Sequence, residues 1–283
     1  MIRDYVELTK PRLTSLVVFT TWLGYALASP SMRFGWTWVH TIAGTWLAAG
    51  GAVALNQYLE CPLDALMHRT QRRPLPQKRL SLDQALTFGI VLSLTGLLEL
   101  AVFVNVLAAF LASLTLITYL FAYTPLKTRT ALCTLVGAVP GAIPPMIGWA
   151  AVQNHLGFGA WVLFAILFVW QLPHFLAIAW MYRDDYARAG FPMLPVLDPQ
   201  GGSTARMIIL YCTILIPVTL IPVRMGMAGF SYFWGALFLG TAFLACGLWT
   251  AKVRTPAMAR RLLLVSVIYL PILLTWMVCN RAV

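Results

Sequence analysis

The sequence predicts an all-α, polytopic integral membrane protein: a bundle of nine transmembrane helices around a central apolar cavity, with polar loops on the cytoplasmic side. Three observations lead there. Of 283 residues, 60% are hydrophobic and only 10% charged, with a mean hydropathy of +0.79, more apolar than a large soluble core. Nine apolar stretches are each long enough to cross ~30 Å of hydrocarbon. And 17 of the 20 lysines and arginines fall in loops on one side of those stretches. The net charge of +11 does not indicate nucleic acid, because the cations sit in short loops between apolar spans. Cys61, Cys133, Cys212, Cys246 and Cys279 are scattered and form no CxxC. They imply neither a disulfide framework nor a zinc site, and read as small apolar packers.

The segment Met1 to Lys10 mixes both charge signs. It lacks the Arg- and Ser-rich, acid-poor look of an organellar transit peptide, so the expected location is the plasma (inner) membrane of a prokaryote. The expected spans are 12–29, 37–58, 84–103, 106–123, 131–152, 158–181, 205–223, 229–250 and 260–279, in one domain covering 1–283. The third and fourth are separated only by Val104-Asn105 and predict a tight hairpin. The basic residues outside the favoured side are Arg33, Arg224 and Arg281. The excess of cations marks the cytoplasmic side, so the N-terminus is expected inside and the C-terminus outside. Glu99 is an acid within a span, near its outer end; an intramembrane carboxylate is a functional candidate by default.

At the inner end of the second span, Asn56, Glu60 and Asp64 recur every four residues. On a helix they share a face, ~6 Å apart per step. His68, Arg69 and Arg73 continue the line. Carboxylates hold hard divalent cations and guanidinium forks hold phosphate oxygens, so the stretch reads as a metal–diphosphate site. Taken alone, it is also a solvated helix end with ordinary ion pairs. Pro62 argues against a regular helix here, since it removes a donor and kinks or ends the helix.

A second acidic cluster, Asp184-Asp185, follows the sixth span. Four spans separate it from Asp64, so both clusters face the same side. Lys10 and Arg12 precede the first span there; Tyr119, Tyr123, Thr124, Lys127 and Arg129 close the fourth. Cations at helix ends are commonly topology anchors. Lys127 is favoured for the site, because Tyr123-Thr124-Pro125-Leu126-Lys127 turns toward the bundle mouth. The fifth span carries Gly137, Gly141 and Gly148 for close helix packing. Its Pro140, Pro144 and Pro145 free backbone groups that a neighbour or a cavity must satisfy. His174, eleven residues before Asp185, lies ~16 Å deeper along the helix. It could ligate a haem iron or link two helices. His40 and His155 lie near the outer surface.

These motifs resemble the membrane-intrinsic polyprenyltransferase superfamily, and within it the branch that prenylates haem. The resemblance covers almost the whole chain. It rests on Leu8-Thr9-Lys10-Pro11-Arg12, Asn56 through Leu75, Tyr123 through Lys127, Gly137 through Pro145, Trp170-Gln171-Leu172-Pro173-His174-Phe175, Asp185 through Gly190 and Pro192-Met193-Leu194-Pro195. The acidic motifs mark the superfamily; Trp170–Phe175 and Pro192–Pro195 mark the haem branch. Pro62 and Glu60 depart from the family pattern, which often has an acid and an aspartate there.

The resemblance implies farnesyl diphosphate as donor and haem B as acceptor, with Mg²⁺ as the cofactor. Asn56, Glu60, Asp64, Asp184 and Asp185 would hold the metal, and Arg69, Arg73, Lys127, Lys10 and Arg12 the diphosphate. Tyr119 and Tyr123 would line the cavity, and His174 would meet the haem. It also implies contact with a haem A synthase or an oxidase assembly partner. The alternatives are an aromatic quinone precursor as acceptor, a transporter of an anionic lipid, and a non-catalytic assembly factor.

Overall fold

The computed structural model describes residues 2–29 and 35–281; Arg33 lies outside them. Among the described residues there is helix and no strand. A short α1 (Ile2–Leu8) leads into α2 (Pro11–Ala28), α3 (Trp36–Asp64), α4 (Leu82–Phe103) and α5 (Val106–Ile117). A π-helical stretch, Thr118–Tyr123, and a last turn, Thr124–Leu126, continue α5 without a break. Then come α6 (Cys133–Ala142), α7 (Pro144–Gln153), α8 (Phe158–Met181), α9 (Arg183–Arg188), α10 (Leu194–Leu197), α11 (Gly202–Arg224), α12 (Phe230–Val253) and α13 (Pro256–Cys279).

Eight candidate spans are long and apolar enough to cross a membrane, which makes this an integral membrane protein. The expected ninth, α2, is an 18-residue helix that falls outside that set. Arg12, Thr14, Ser15, Thr20 and Thr21 dilute its apolar character. Its buried threonines bond back to the chain: Thr14 Oγ1 donates to the Thr9 carbonyl (2.7 Å), and Thr20 and Thr21 both donate to Val17 (2.8 and 3.0 Å).

The fifth span is two helices, not one. Pro144 and Pro145 open α7, where missing N–H groups cost nothing, and Ile143 separates it from α6. A Cβ on Gly24 of α2 would collide with the Pro145 carbonyl, and one on Gly148 with the Thr21 carbonyl, so α2 and α7 touch backbone to backbone. A second seam joins α3 and α4. Gly44 and Gly51 face Gly89 and Gly96, and a Cβ on Gly96 would collide with the Ala48 backbone. Close approach of this kind holds helices together where lipid supplies no hydrophobic drive. The α4–α5 hairpin is as tight as expected: Asn105 Oδ1 caps α5 at Ala108 N (2.8 Å), while its Nδ2 donates to the Ala150 carbonyl (2.8 Å). Pro62 does not end α3, which runs two residues further to Asp64. Pro62 lies within the last turn, so its missing donor disturbs little that follows.

The buried helix α8 is the hub, packed on α6, α7, α11 and α13. At one end of the bundle the Arg281 guanidinium donates to the carbonyls of Ser29 (2.6 Å) and Ala26 (3.2 Å), and Gly229 N donates to the Asn280 carbonyl (2.7 Å). Glu99 is at this end, 2.7 Å from His40 Nδ1, with His40 stacked on Phe103. That acid is an α3–α4 link, far from the second acid-rich end.

Candidate active site

The acid-rich end holds a cavity of about 170 Å³ bounded by Lys10, Asn56, Glu60, Asp64, Arg69, Arg73, Tyr119, Tyr123 and Lys127. The four-residue spacing on α3 explains the first acidic wall, since the helix persists to Asp64. Asn56, Glu60 and Asp64 are all buried. Each is fixed by a different partner. Asn56 Nδ2 donates to Thr124 Oγ1 (3.0 Å), which itself donates to the Tyr119 carbonyl (2.8 Å). Lys127 Nζ donates to Glu60 Oε1 (2.7 Å), and Arg73 Nη1 to Asp64 Oδ2 (2.5 Å). Thr124 works because of the π-helical stretch before it. The widened turn reaches from Tyr119 to Thr124 and stacks Tyr119 on Tyr123 (centroids 5.5 Å apart) at the cavity wall. Such turns recur at functional sites.

The cationic wall comes from three separate segments. Lys10 sits between α1 and α2 with φ +44°, a left-handed conformation that non-glycine residues adopt at some cost. Burial, reinforced by Arg73 and Lys127, lowers its pKa to about 7. Burial would also lower Lys127, but Tyr123 and Glu60 beside it hold it well above its ordinary value. The Arg69 guanidinium lies over the rings of Tyr182 (4.8 Å) and Tyr186 (5.7 Å) and donates to Tyr186 Oη (3.3 Å).

One atom is left over. Asp64 Oδ1 is buried and has no hydrogen-bond partner. A buried carboxylate oxygen without a partner is costly, and this one belongs to a cavity-lining residue. A divalent cation fits that donor set. Glu60 and Asp64 each engage their cation through one oxygen, and hard metals such as Mg²⁺ take one or two carboxylates plus substrate phosphates and water.

The structure does not bring every expected residue to this cavity. Asp185 is buried against the loop after α3, where Oδ1 and Oδ2 accept from the amides of His68 (3.2 Å) and Arg69 (3.1 Å), and Arg188 pairs with it. Both of its oxygens are therefore engaged by the chain itself. Asp184 is exposed and paired with Arg183 (3.4 Å). Among the described residues no three His, Cys, Asp or Glu side chains converge as a metal cluster; of the five expected ligands, Asn56, Glu60 and Asp64 line this cavity and Asp184 and Asp185 do not. Arg12 and Arg129 are exposed and line nothing here.

His174 is also placed otherwise than expected. Its Nδ1 lies 2.7 Å from Ser266 Oγ on α13, and its ring stacks on Trp170, whose Nε1 donates to the Ser266 carbonyl (2.9 Å). It lines neither this cavity nor the chamber beyond. This is a link between α8 and α13. We expect His174→Ala and Ser266→Ala each to lower the thermal midpoint, by a loss of about 0.6–2 kcal/mol, and the double variant to lose no more than the larger single one. A shifted Soret band of bound haem in His174→Ala would overturn this assignment.

Met67, Cys133, Thr134, Phe175, Phe191 and Met193 also line the wall. Spacing gave no sign of Cys133; Met67, Phe175 and Met193 stand in the strings that carry the family resemblance. Through Tyr119, Tyr123 and Phe175 the polar cavity adjoins an apolar chamber of about 260 Å³, whose walls include Val17, Ala52, Gly141, Gln171, Pro140 and Pro144. Pro140 and Pro144 of the broken span are thus cavity wall, while Pro145 packs against Gly24 of α2, and Gln171 Nε2 donates to the Ala138 carbonyl (3.3 Å).

Comparisons with known proteins place the chain among its relatives. The family model described as "UbiA prenyltransferase family" matches residues 17–273. A protoheme IX farnesyltransferase of Solibacter usitatus is 50% identical, the match covering 99% of each chain. One from Koribacter versatilis is 44% identical, covering 100% of this chain and 94% of the other. Among solved structures, a digeranylgeranylglyceryl phosphate synthase superposes with a TM-score of 0.82 at 14% identity, covering 99% of this chain and 98% of that one. A UbiA homolog from Archaeoglobus fulgidus bound to GPP and Mg²⁺ superposes with a TM-score of 0.69 at 13% identity, covering 97% and 99%.

Proposed function

The chain belongs to the UbiA prenyltransferase family, and on that premise we propose that it transfers the farnesyl group of farnesyl diphosphate to a vinyl group of haem B, releasing diphosphate and giving haem O. The end-to-end identity with farnesyltransferases that act on protohaem carries the choice of donor and acceptor. What supports the chemistry is the partnerless Asp64 oxygen in a cavity ringed by Lys10, Arg69, Arg73 and Lys127.

Asn56, Glu60 and Asp64 would hold Mg²⁺, which when bound neutralises charge on the diphosphate oxygens. Arg69, Arg73, Lys10 and Lys127 grip the same oxygens and stabilise the negative charge that grows as the allylic C–O bond breaks. The electron pair of that bond leaves with diphosphate. Tyr119, Tyr123 and Phe175, which line both the polar cavity and the chamber, would surround the allylic cation with aromatic carbon and few competing nucleophiles. The vinyl π-electrons form the new C–C bond, water adds to the resulting cation, and a proton is lost, leaving a hydroxyethylfarnesyl substituent. The prenyl tail lies in the apolar chamber. The site is at one end of the bundle, not at the midplane where alternating access would place it, which disfavours a transporter.

The test is to incubate purified protein with haem B, farnesyl diphosphate and Mg²⁺ and to take the mass of the porphyrin. A farnesyl plus one hydroxyl group is the expected gain, lost on chelation; an unchanged porphyrin would end the reading. Orientation follows from the basic residues: the site faces the cytoplasm of a prokaryotic inner membrane, and the product passes to a haem A synthase or oxidase assembly partner. In a background without native cysteines, Gln77→Cys should resist an impermeant thiol reagent in intact cells and Gly226→Cys should label. The reverse pattern inverts the topology.

A further inference from the structure

The polar cavity and its apolar chamber accommodate the donor, but neither accounts for the acceptor, a rigid disc with two acidic tails. A third space does. Helices α6 and α11 both pack on α8, and between them runs an apolar slot of about 160 Å³. Leu172 and Leu176 of α8 form its buried floor, Leu132 and Leu135 one side, and Met207 and Tyr211 the other. Its outer lips are open: Leu132 and Met207 are 61% and 39% exposed. Its inner limit is Thr134, which also lines the polar cavity. Thr134 thus belongs to the walls of both the slot and the polar cavity.

Charge distinguishes the slot from an ordinary lipid-facing crevice. Arg129 stands two residues before Ala131 at its edge, and Arg206 is next to Met207. Both are exposed, and among the described residues neither is in an ion pair with a carboxylate; Arg206 Nη2 donates only to Ser203 Oγ (3.1 Å). Haem B carries its vinyl groups on one edge and its propionates on the opposite edge. An apolar slot with a reactive cavity behind it and cations at its cytoplasmic end matches that polarity. The slot is too small to enclose the macrocycle, so the vinyl-bearing edge enters and the rest stays at the membrane interface. The sulfur of Met207 and the phenol of Tyr211, one turn apart on α11, are both groups that bind haem iron in other proteins.

We propose that the α6–α8–α11 slot is the acceptor subsite: the vinyl edge of haem B points at Thr134 and its propionates meet Arg129 and Arg206. This rests on the farnesyl-transfer reading above. It accounts for how two large apolar substrates reach one reacting centre without sharing a channel, since donor and acceptor approach from opposite sides of α6.

Leu132→Trp and Met207→Trp fill the slot from exposed positions, where a larger side chain need not disturb the core. Each should weaken haem B binding, followed at the Soret band, by roughly tenfold or more and raise KM for haem, because a filled subsite excludes the disc. Binding of farnesyl diphosphate with Mg²⁺ should stay within about twofold of the parent, since those contacts are untouched. Haem B dimethyl ester, which lacks the anionic tails, should bind the parent more weakly than haem B. The double variant Arg129→Gln, Arg206→Gln should lose that discrimination. Unchanged haem affinity in both tryptophan variants, or discrimination retained without the arginines, overturns the subsite. Absence of any farnesylated porphyrin from the parent protein would instead defeat the reading on which it rests.

Discussion

Asp64→Asn is expected to reduce farnesyl transfer at least ~1,000-fold, equivalent to about 4 kcal/mol of transition-state stabilisation. The substitution keeps the shape and an acceptor oxygen for Arg73, which donates to Asp64 Oδ2 at 2.5 Å. It removes the carboxylate charge behind a buried cavity oxygen that has no partner. The loss should appear in kcat as well as in metal dependence, because the charge matters most when diphosphate departs. Arg73 is left without its counter-charge, which for a buried pair can cost about 3–5 kcal/mol, so a thermal melt belongs beside the assay. Glu60→Gln provides the second reading: Lys127 keeps an acceptor at 2.7 Å, and turnover should still fall steeply. Near-parental turnover by a folded Asp64→Asn protein at limiting Mg²⁺ would remove the metal–diphosphate site.

That prediction could be framed from sequence because helical spacing is a strong signal. Asn56, Glu60 and Asp64 share a face whether or not anything else about the fold is known. The parity of the spans was equally informative, bringing the Asp185 segment to the same end as Asp64. Side-chain partners were not legible, because they depend on contacts between distant segments. Nothing near His174 in the chain announces Ser266, 92 residues away. The π-helical stretch that seats Thr124 under Asn56 likewise has no periodic signature; Thr118 to Tyr123 reads as the end of an ordinary apolar span. The α3–α4 seam of Gly44, Gly51, Gly89 and Gly96 was not singled out in the sequence, because glycine alone does not say which helix it meets. The shortfall of α2 against the apolar threshold has a simple cause. Its buried threonine hydroxyls return to nearby backbone, Thr20 and Thr21 within the helix and Thr14 to Thr9 just before it, so a polar-looking segment can still be a helix packed within the bundle.

Asp185→Asn separates two roles that the acidic motif alone leaves entangled. If Asp185 held metal, raising Mg²⁺ would restore part of the lost activity. The structure points to a different role, since its two oxygens accept from the His68 and Arg69 amides and Arg188 is paired with it. Asparagine offers one acceptor oxygen in place of two and turns an NH₂ toward an amide donor. Charge-assisted bonds of this type are each worth about 1.5–3 kcal/mol. The loop after α3 would then loosen, and with it Arg69, which otherwise sits over Tyr182 and Tyr186. Turnover should drop roughly 10- to 100-fold through a higher KM for farnesyl diphosphate, because a 1.4–2.8 kcal/mol loss in positioning corresponds to that range. Saturating Mg²⁺ should not recover it. Arg69→Gln should give a similar loss, and combining the two should add little, because both act through one guanidinium. Recovery of Asp185→Asn by Mg²⁺, with an additive double variant, would return Asp185 to the metal and deny it the part of a positioning residue.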